Sequence, residues 1–151
     1  MKITEAKLND LEEILGLQKQ CYFSEAELYD DFTIPPLTQD ITPIRKEFED
    51  SLFLKAVLRN KIVGSVRGYK ENGTCFIGRL IVDSKFQNKG FGKLLMNNIE
   101  KEFSGCTRLE LFTGDKSNKN LYLYNKLGYK EFKRQRINEK LVLIYLEKIN
   151  H

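Results

Sequence analysis

The 151-residue chain predicts an α/β (α+β) fold, a mixed and mostly antiparallel sheet of about seven strands with helices against it. Three observations lead there. Strand-like runs and helical periods alternate in the order β-α-α-β-β-β-α-β-α-β-β. The pair Asn72-Gly73, both tolerant of positive φ, joins two of those runs as a tight hairpin. A glycine-containing turn, Gln87-Asn88-Lys89-Gly90-Phe91-Gly92, leads from a strand into an amphipathic helix. One domain over residues 1–151 is expected, because this length buries a core without staples.

Lys2 to Lys7 reads as a short first strand. Asn9 followed by Glu12 forms a capping pair for a helix through about Gln20, with Leu11, Ile14, Leu15 and Gln18 at helical spacing. Tyr22 to Asp40, with acids, aromatics and Pro35-Pro36, is expected to be irregular or weakly helical. Thr42-Pro43 reads as N-cap and N1 of a short helix carrying Ile44 and Phe48 on one face. Strands follow over Phe53 to Leu58, Ile62 to Tyr69 and Thr74 to Asp83, with Arg59-Asn60-Lys61 as the first turn. Phe91, Leu95, Ile99 and Phe103 recur at i+4 with Leu94 beside them, and Ser104-Gly105 ends that helix. Thr107 to Thr113 is the next strand. Ser117 or Asn118 caps a helix that stops at Gly128, after which Tyr129 packs back over its last turn. Lys130 to Ile137 and Leu141 to Glu147 close the chain as a hairpin around Asn138-Glu139.

Composition narrows the function classes. Apolar residues are 41% and charged residues 30%, and the longest apolar run, Leu141 to Leu146, is far too short for a bilayer. No apolar signal region follows Met1, and Cys21, Cys75 and Cys106 are odd in number without a Cys-x-x-Cys pair. Reduced core thiols in a cytoplasmic protein are expected. The net charge of +4 suits a small polyanion such as a nucleotide or CoA. Acids interleave with bases and no nucleic-acid motif is present, so no nucleic-acid partner is expected, nor a membrane. The one histidine, His151, ends the sequence given, which argues against Ser–His chemistry and histidine-rich metal sites.

Gly90 and Gly92 let the backbone turn sharply and approach a ligand. The first N–H groups of the following helix lack internal partners and lie at the positive end of its dipole, which makes an anion cup. Lys85, Lys89 and Lys93 surround it with positive charge. A Walker loop would need glycine where Gln87 stands and Ser or Thr where Leu94 stands. A Rossmann turn would need a third glycine at Leu95. A plain glycine-rich helix entry is the competing reading, so a second motif has to decide.

That motif is Asn118-Lys119-Asn120-Leu121-Tyr122-Leu123-Tyr124-Asn125-Lys126-Leu127-Gly128-Tyr129. With the Q-x-x-G-x-G turn, it resembles the GNAT acetyltransferase superfamily. Asn118, Leu123, Tyr124, Lys126, Gly128 and Tyr129 match that family, and Asn120 departs at a position usually small and apolar. The resemblance is strongest over residues 74 to 130. It implies a sheet splayed between its fourth and fifth strands, helices on both faces, and acetyl-CoA as co-substrate in the gap. It places the pyrophosphate on the backbone of Gln87, Asn88, Lys89, Gly90, Phe91, Gly92 and Lys93. The pantetheine arm would pair with main chain around Leu80, Ile81 and Val82, and Asn118 would bond the arm or brace the helix. Tyr124 falls on the family's general-acid position and would also border the cofactor.

The implied reaction is transfer of an acetyl group from acetyl-CoA to a primary amine of a small molecule by direct attack in a ternary complex. Alternatives are a peptide or protein acceptor, or a catalytically silent CoA-binding module. A backbone N–H at Val82 is expected to receive the developing oxyanion. Tyr124, with an ordinary pKa near ~10, can serve the leaving thiolate, whose free thiol titrates near ~8.5. Some family members carry a glutamate base near Gly78 or Arg79, and neither residue can replace it. Glu110, Asp83, a water chain, or binding of an already neutral amine remain open as routes for the acceptor's proton. The acidic, aromatic stretch containing Tyr22, Glu25, Tyr29 and Asp31 is the candidate acceptor mouth. A solvated helix face with a buried aromatic stripe is its competing reading. A monomer or homodimer without metal is expected.

Overall fold

The computed structural model describes residues 1–150. Its strands are β1 (Lys2–Glu5), β2 (Leu52–Leu58), β3 (Lys61–Glu71), β4 (Thr74–Val82), β5 (Arg108–Gly114), β6 (Lys130–Arg136) and β7 (Val142–Ile149). They form one sheet in the order β1-β2-β3-β4-β5-β7-β6. Every pairing is antiparallel except β4 with β5, which are parallel only over Thr74↔Arg108, Cys75↔Leu109 and Phe76↔Glu110. Beyond Phe76 the two strands part, so the sheet is mixed and splayed between its fourth and fifth strands as expected. The β2–β3 and β3–β4 hairpins close on Arg59-Asn60 and Asn72-Gly73, and all four residues have positive φ.

The helices are α1 (Leu11–Tyr29), α2 (Pro35–Thr38), α3 (Ile41–Asp50), α4 (Phe91–Glu102) and α5 (Asn118–Lys126). One core cluster joins α4 and α5 to the sheet through Leu95, Met96, Ile99, Tyr124, Cys75 and Ile77. The other holds α1 and α3 on the opposite face through Leu11, Ile14, Ile44, Phe53 and Ile81. Helices therefore cover both faces, and the parted strands lie between the layers.

Several boundaries differ from the sequence reading. Helix α1 runs to Tyr29 and so takes in Tyr22 and Glu25, where an irregular stretch is expected. Ala26 and Tyr29 are buried, Tyr29 against Gly114 and Ser117, and that burial carries the helix on until Asp30 ends it in a left-handed conformation with φ 49°. Asn9 does not cap α1; it lies in a short 3₁₀ turn, in which the Asp10 carboxylate accepts from the Lys7 N–H. Pro35 opens the single-turn α2, and α3 begins at Ile41 rather than after a Thr42 cap. Cys75 and Cys106 are buried core thiols, whereas Cys21 is only half-buried.

Candidate active site

The site starts from how β4 leaves its neighbour. Its pairing with β3 slips between Ser65 and Arg67, so that Arg79 and Leu80 together oppose Val66. Arg79 takes a left-handed conformation, φ 52°, which bends the strand at this bulge. Past the bulge the Asp83 N–H donates to the Val63 carbonyl at 2.8 Å. Hydrogen bonding alternates along an antiparallel pair, so Val82, one residue earlier, turns its N–H and C=O away from β3. They face the side on which β5 has departed. The Val82 carbonyl accepts there from Gln87 Nε2 at 3.1 Å and from the Cys21 thiol at 3.4 Å.

The glycine turn lies directly beyond. Asn88 and Gly90 both have positive φ, 62° and 82°, and α4 begins at Phe91. The first backbone hydrogen bond of that helix is Leu94 N–H to Gly90 O at 3.0 Å. The N–H groups of Phe91, Gly92 and Lys93 are consequently left pointing outward. A Cβ at Gly90 would meet open space, whereas one at Gly92 would come within 3.4 Å of Leu123 on α5. Gly90 therefore fronts the cup and Gly92 lets two helices approach. Free amides at the positive end of a helix, with an unobstructed approach over Gly90, fit a pyrophosphate.

A cleft of about 820 Å³ extends from this cup to α1. Leu80, Ile81, Val82, Gln87, Asn88, Gly90, Phe91, Gly92, Lys93 and Asn118 all line it, as do Tyr22 and Glu25 from the acceptor side. Lys116, Lys119 and Lys126 join Lys93 on its wall, and Glu25 is the one carboxylate there among the described residues. Lys89 does not line it; its ammonium lies 5.9 Å from the centre of the Phe86 ring.

The sequence reading misses the buried clamp between α1 and the start of α5. Ser117, expected as a helix cap, makes no capping bond. Its hydroxyl instead donates to Glu25 at 2.7 Å and lies 2.9 Å from the Tyr29 hydroxyl, which accepts from the Lys116 N–H at 2.8 Å. Tyr29 thus braces the wall from behind, and Asp31 is turned to Thr33 in a loop outside the cleft. A methyl group at Gly114 would overlap the Tyr29 hydroxyl. We expect Gly114→Ala to cost ~1–3 kcal/mol in chemical denaturation, through overpacking and loss of this clamp. A midpoint equal to wild type would show that the wall can yield.

Tyr124, expected to border the cofactor, is a 6% exposed core residue with its ring edge-on to Tyr129 at 6.0 Å, and it is not among the residues lining the cleft, where Tyr122 and Leu123 of α5 stand instead. The Tyr124 hydroxyl has no hydrogen-bond partner among the described residues. Burial, reinforced by the nearby Tyr22 and Glu25, pushes its pKa well above the ordinary tyrosine value. Of the two other carboxylates considered as bases, Glu110 is held by Arg108 at 2.7 Å and Asp83 accepts from the Lys85 N–H at 3.0 Å. Neither lines the cleft. The described residues contain no group of three His, Cys, Asp or Glu placed to hold a metal, and no helix among them is long and apolar enough to cross a membrane.

The bulged strand thus parts from its neighbour beside an amide cup that fits a pyrophosphate. The Acetyltransferase (GNAT) family model matches residues 10–129, and the chain belongs to that family. It is therefore an acetyltransferase with acetyl-CoA as donor. Solved structures share the fold. A Streptococcus mutans protein, smu.2055, is 19% identical with a TM-score of 0.86, each chain covered completely. The ribosomal-protein-S18-alanine N-acetyltransferase of Escherichia coli is 15% identical, TM-score 0.83, over 99% of this chain and 93% of that one. The putative acetyltransferase yncA of Salmonella typhimurium, solved with its cofactor acetyl-CoA, is 15% identical, TM-score 0.78, over 100% of this chain and 94% of that one.

Proposed function

We propose that this acetyltransferase modifies a primary amine of a small-molecule acceptor, by direct attack while donor and acceptor are bound together, and that a single domain over residues 1–151 carries the reaction. The observation behind this reading is the one continuous cleft, which joins the amide cup to a pocket bearing a single carboxylate, Glu25.

Acetyl-CoA supplies an activated acetyl group and a thiol leaving group. The amides of Phe91, Gly92 and Lys93 hold the pyrophosphate, with Gln87, Asn88 and Gly90 shaping the turn. Lys93, Lys116 and Lys119 add charge for the remaining phosphate. Leu80 and Ile81 border the arm, and Asn118 stands at the start of α5 where the arm passes. The Val82 N–H, aimed into the gap, receives negative charge as it develops on the carbonyl oxygen; such a donor typically contributes ~3 kcal/mol. Tyr22 and Glu25 receive the acceptor, and Glu25 is the carboxylate available to its ammonium. Tyr124, held protonated by burial, donates a hydrogen bond to the departing sulfur. Full proton transfer would be uphill for a hydroxyl whose pKa is raised, so its contribution is the hydrogen bond.

The test is CoA-thiol release from acetyl-CoA across amines, polyamines, amino acids and N-terminal peptides. Turnover with one class of small amine is the expected result. Turnover with peptides alone would replace the small-molecule reading, and binding without any turnover would mark a silent CoA-binding module.

A further inference from the structure

Cys21, Glu25 and Tyr29 recur every four positions along α1 and so share one face of that helix. Each meets a partner far along the chain. The Cys21 thiol donates to the Val82 carbonyl at 3.4 Å, and Glu25 stands one helical turn, about 5.4 Å, further along. Glu25 Oε2 accepts from the Ser117 hydroxyl at 2.7 Å, whereas its Oε1 has no hydrogen bond or ion pair among the described residues. The Tyr29 hydroxyl lies 2.9 Å from Ser117 Oγ and accepts from the Lys116 N–H at 2.8 Å. Tyr29 and Ser117 are buried, while Glu25 is half-buried and lines the cleft.

The ends of this chain set its direction. A backbone N–H can only donate and an ionised carboxylate can only accept, so each hydroxyl between them points its hydrogen onward. Lys116 N–H donates to Tyr29, Tyr29 to Ser117, and Ser117 to Glu25. Reversing either hydroxyl would leave the Glu25 oxygen without its donor. Ser117 also stands directly before Asn118, where a serine ordinarily caps a helix, yet it makes no capping bond. Its hydroxyl is committed to α1 instead. A helix start left without its cap, beside a carboxylate held on the cleft wall, indicates that the contact serves the position of Glu25.

We propose that Ser117 is a positioning residue of the acceptor site, which with Tyr29 behind it holds the Glu25 carboxylate ready to pair with the acceptor's ammonium. A glutamate side chain has three rotatable bonds, and ordering them at the moment of binding subtracts from affinity. With Oε2 tied to Ser117, the side chain is ordered before the acceptor arrives, and Oε1 is left for the incoming cation. That role rests on the small-molecule reading, in which Glu25 meets the acceptor, and adds what fixes the carboxylate in place.

A double-mutant cycle on the acceptor KM tests it, with the small amine that wild type acetylates fastest as the probe. Thermal shift with CoA verifies that each variant is folded. Glu25→Ala should raise the acceptor KM by about 10- to 100-fold and Ser117→Ala by about 3- to 10-fold, while the KM for acetyl-CoA stays within a factor of about three. In the Glu25→Ala background, Ser117→Ala should have no further effect, because Ser117 acts through the carboxylate. Ser117→Thr, which keeps the hydroxyl, should retain most of the wild-type affinity. Should Ser117→Ala fail to fold, Tyr29→Phe, which keeps the ring and removes the donor to Ser117, completes the same cycle. No rise from the Ser117 or Tyr29 variant, or an equal rise in both backgrounds, would overturn the positioning role and leave the small-molecule reading standing. An unchanged acceptor KM in Glu25→Ala would overturn Glu25 as the acceptor's contact and the positioning role with it. Turnover of peptides alone, or of nothing, would overturn the small-molecule reading itself.

Discussion

Gly90→Val is expected to yield a folded protein whose affinity for CoA falls by at least ~100-fold. At φ 82° the backbone of Gly90 occupies the left-handed region, where a branched side chain is strained by ~1–2 kcal/mol. That strain is a fraction of the stability of a typical domain, ~5–15 kcal/mol. No atom lies within 4 Å of a Cβ built there, so nothing in the protein itself is displaced. The added methyl groups would stand in front of the free amides of Phe91, Gly92 and Lys93. Binding should therefore be lost well before folding is. Circular dichroism together with thermal shift against CoA separates the two; a wild-type shift in the variant would mean that the turn is not the pyrophosphate site.

Removing a single oxygen from Tyr124 is expected to have the next largest effect. Tyr124→Phe should lower kcat by about 10- to 100-fold, the worth of one hydrogen bond to a charged sulfur. The KM for acetyl-CoA should stay within a factor of about three, because Tyr124 is not among the residues lining the cleft. Stability should not fall, since the hydroxyl gives up no protein hydrogen bond. The pH profile follows from the sign of the pKa shift. A raised tyrosine pKa keeps the donor protonated to higher pH, so wild-type kcat should show no alkaline decline from Tyr124 up to pH ~10. Equal rates in both proteins would remove Tyr124 from the mechanism and leave it a core residue beside Tyr129.

How much of the site is legible before folding depends on the range of the interactions involved. The cup is local: Asn88, Gly90 and Gly92 need positive φ or a missing Cβ within one short turn, and the free amides follow from any helix start. The hairpins at Arg59-Asn60 and Asn72-Gly73 are equally short-range. By contrast, the length of α1 depends on Tyr29 packing against residues far along the chain, Ser117 and Lys116. No local signal in Tyr22 to Asp40 announces that burial. Ser117 reads as a helix cap from its position, yet its hydroxyl is taken by Glu25 and Tyr29. Glu110 and Asp83 read as available carboxylates until Arg108 and the Lys85 N–H are seen to occupy them.

The sequence by itself determined the order of elements, the amide cup after β4 and, through the segment from Asn118 to Tyr129, the kinship that makes acetyl-CoA the donor. These depend on dihedral preference and spacing, which are properties of adjacent residues. The tertiary structure alone decided where β4 bulges, that Val82 turns its amide into the gap, and that Tyr22 and Glu25 line the cleft. Each of those follows from strand register and long-range packing, since a slip of one residue in an antiparallel pair reverses the direction in which every following amide points.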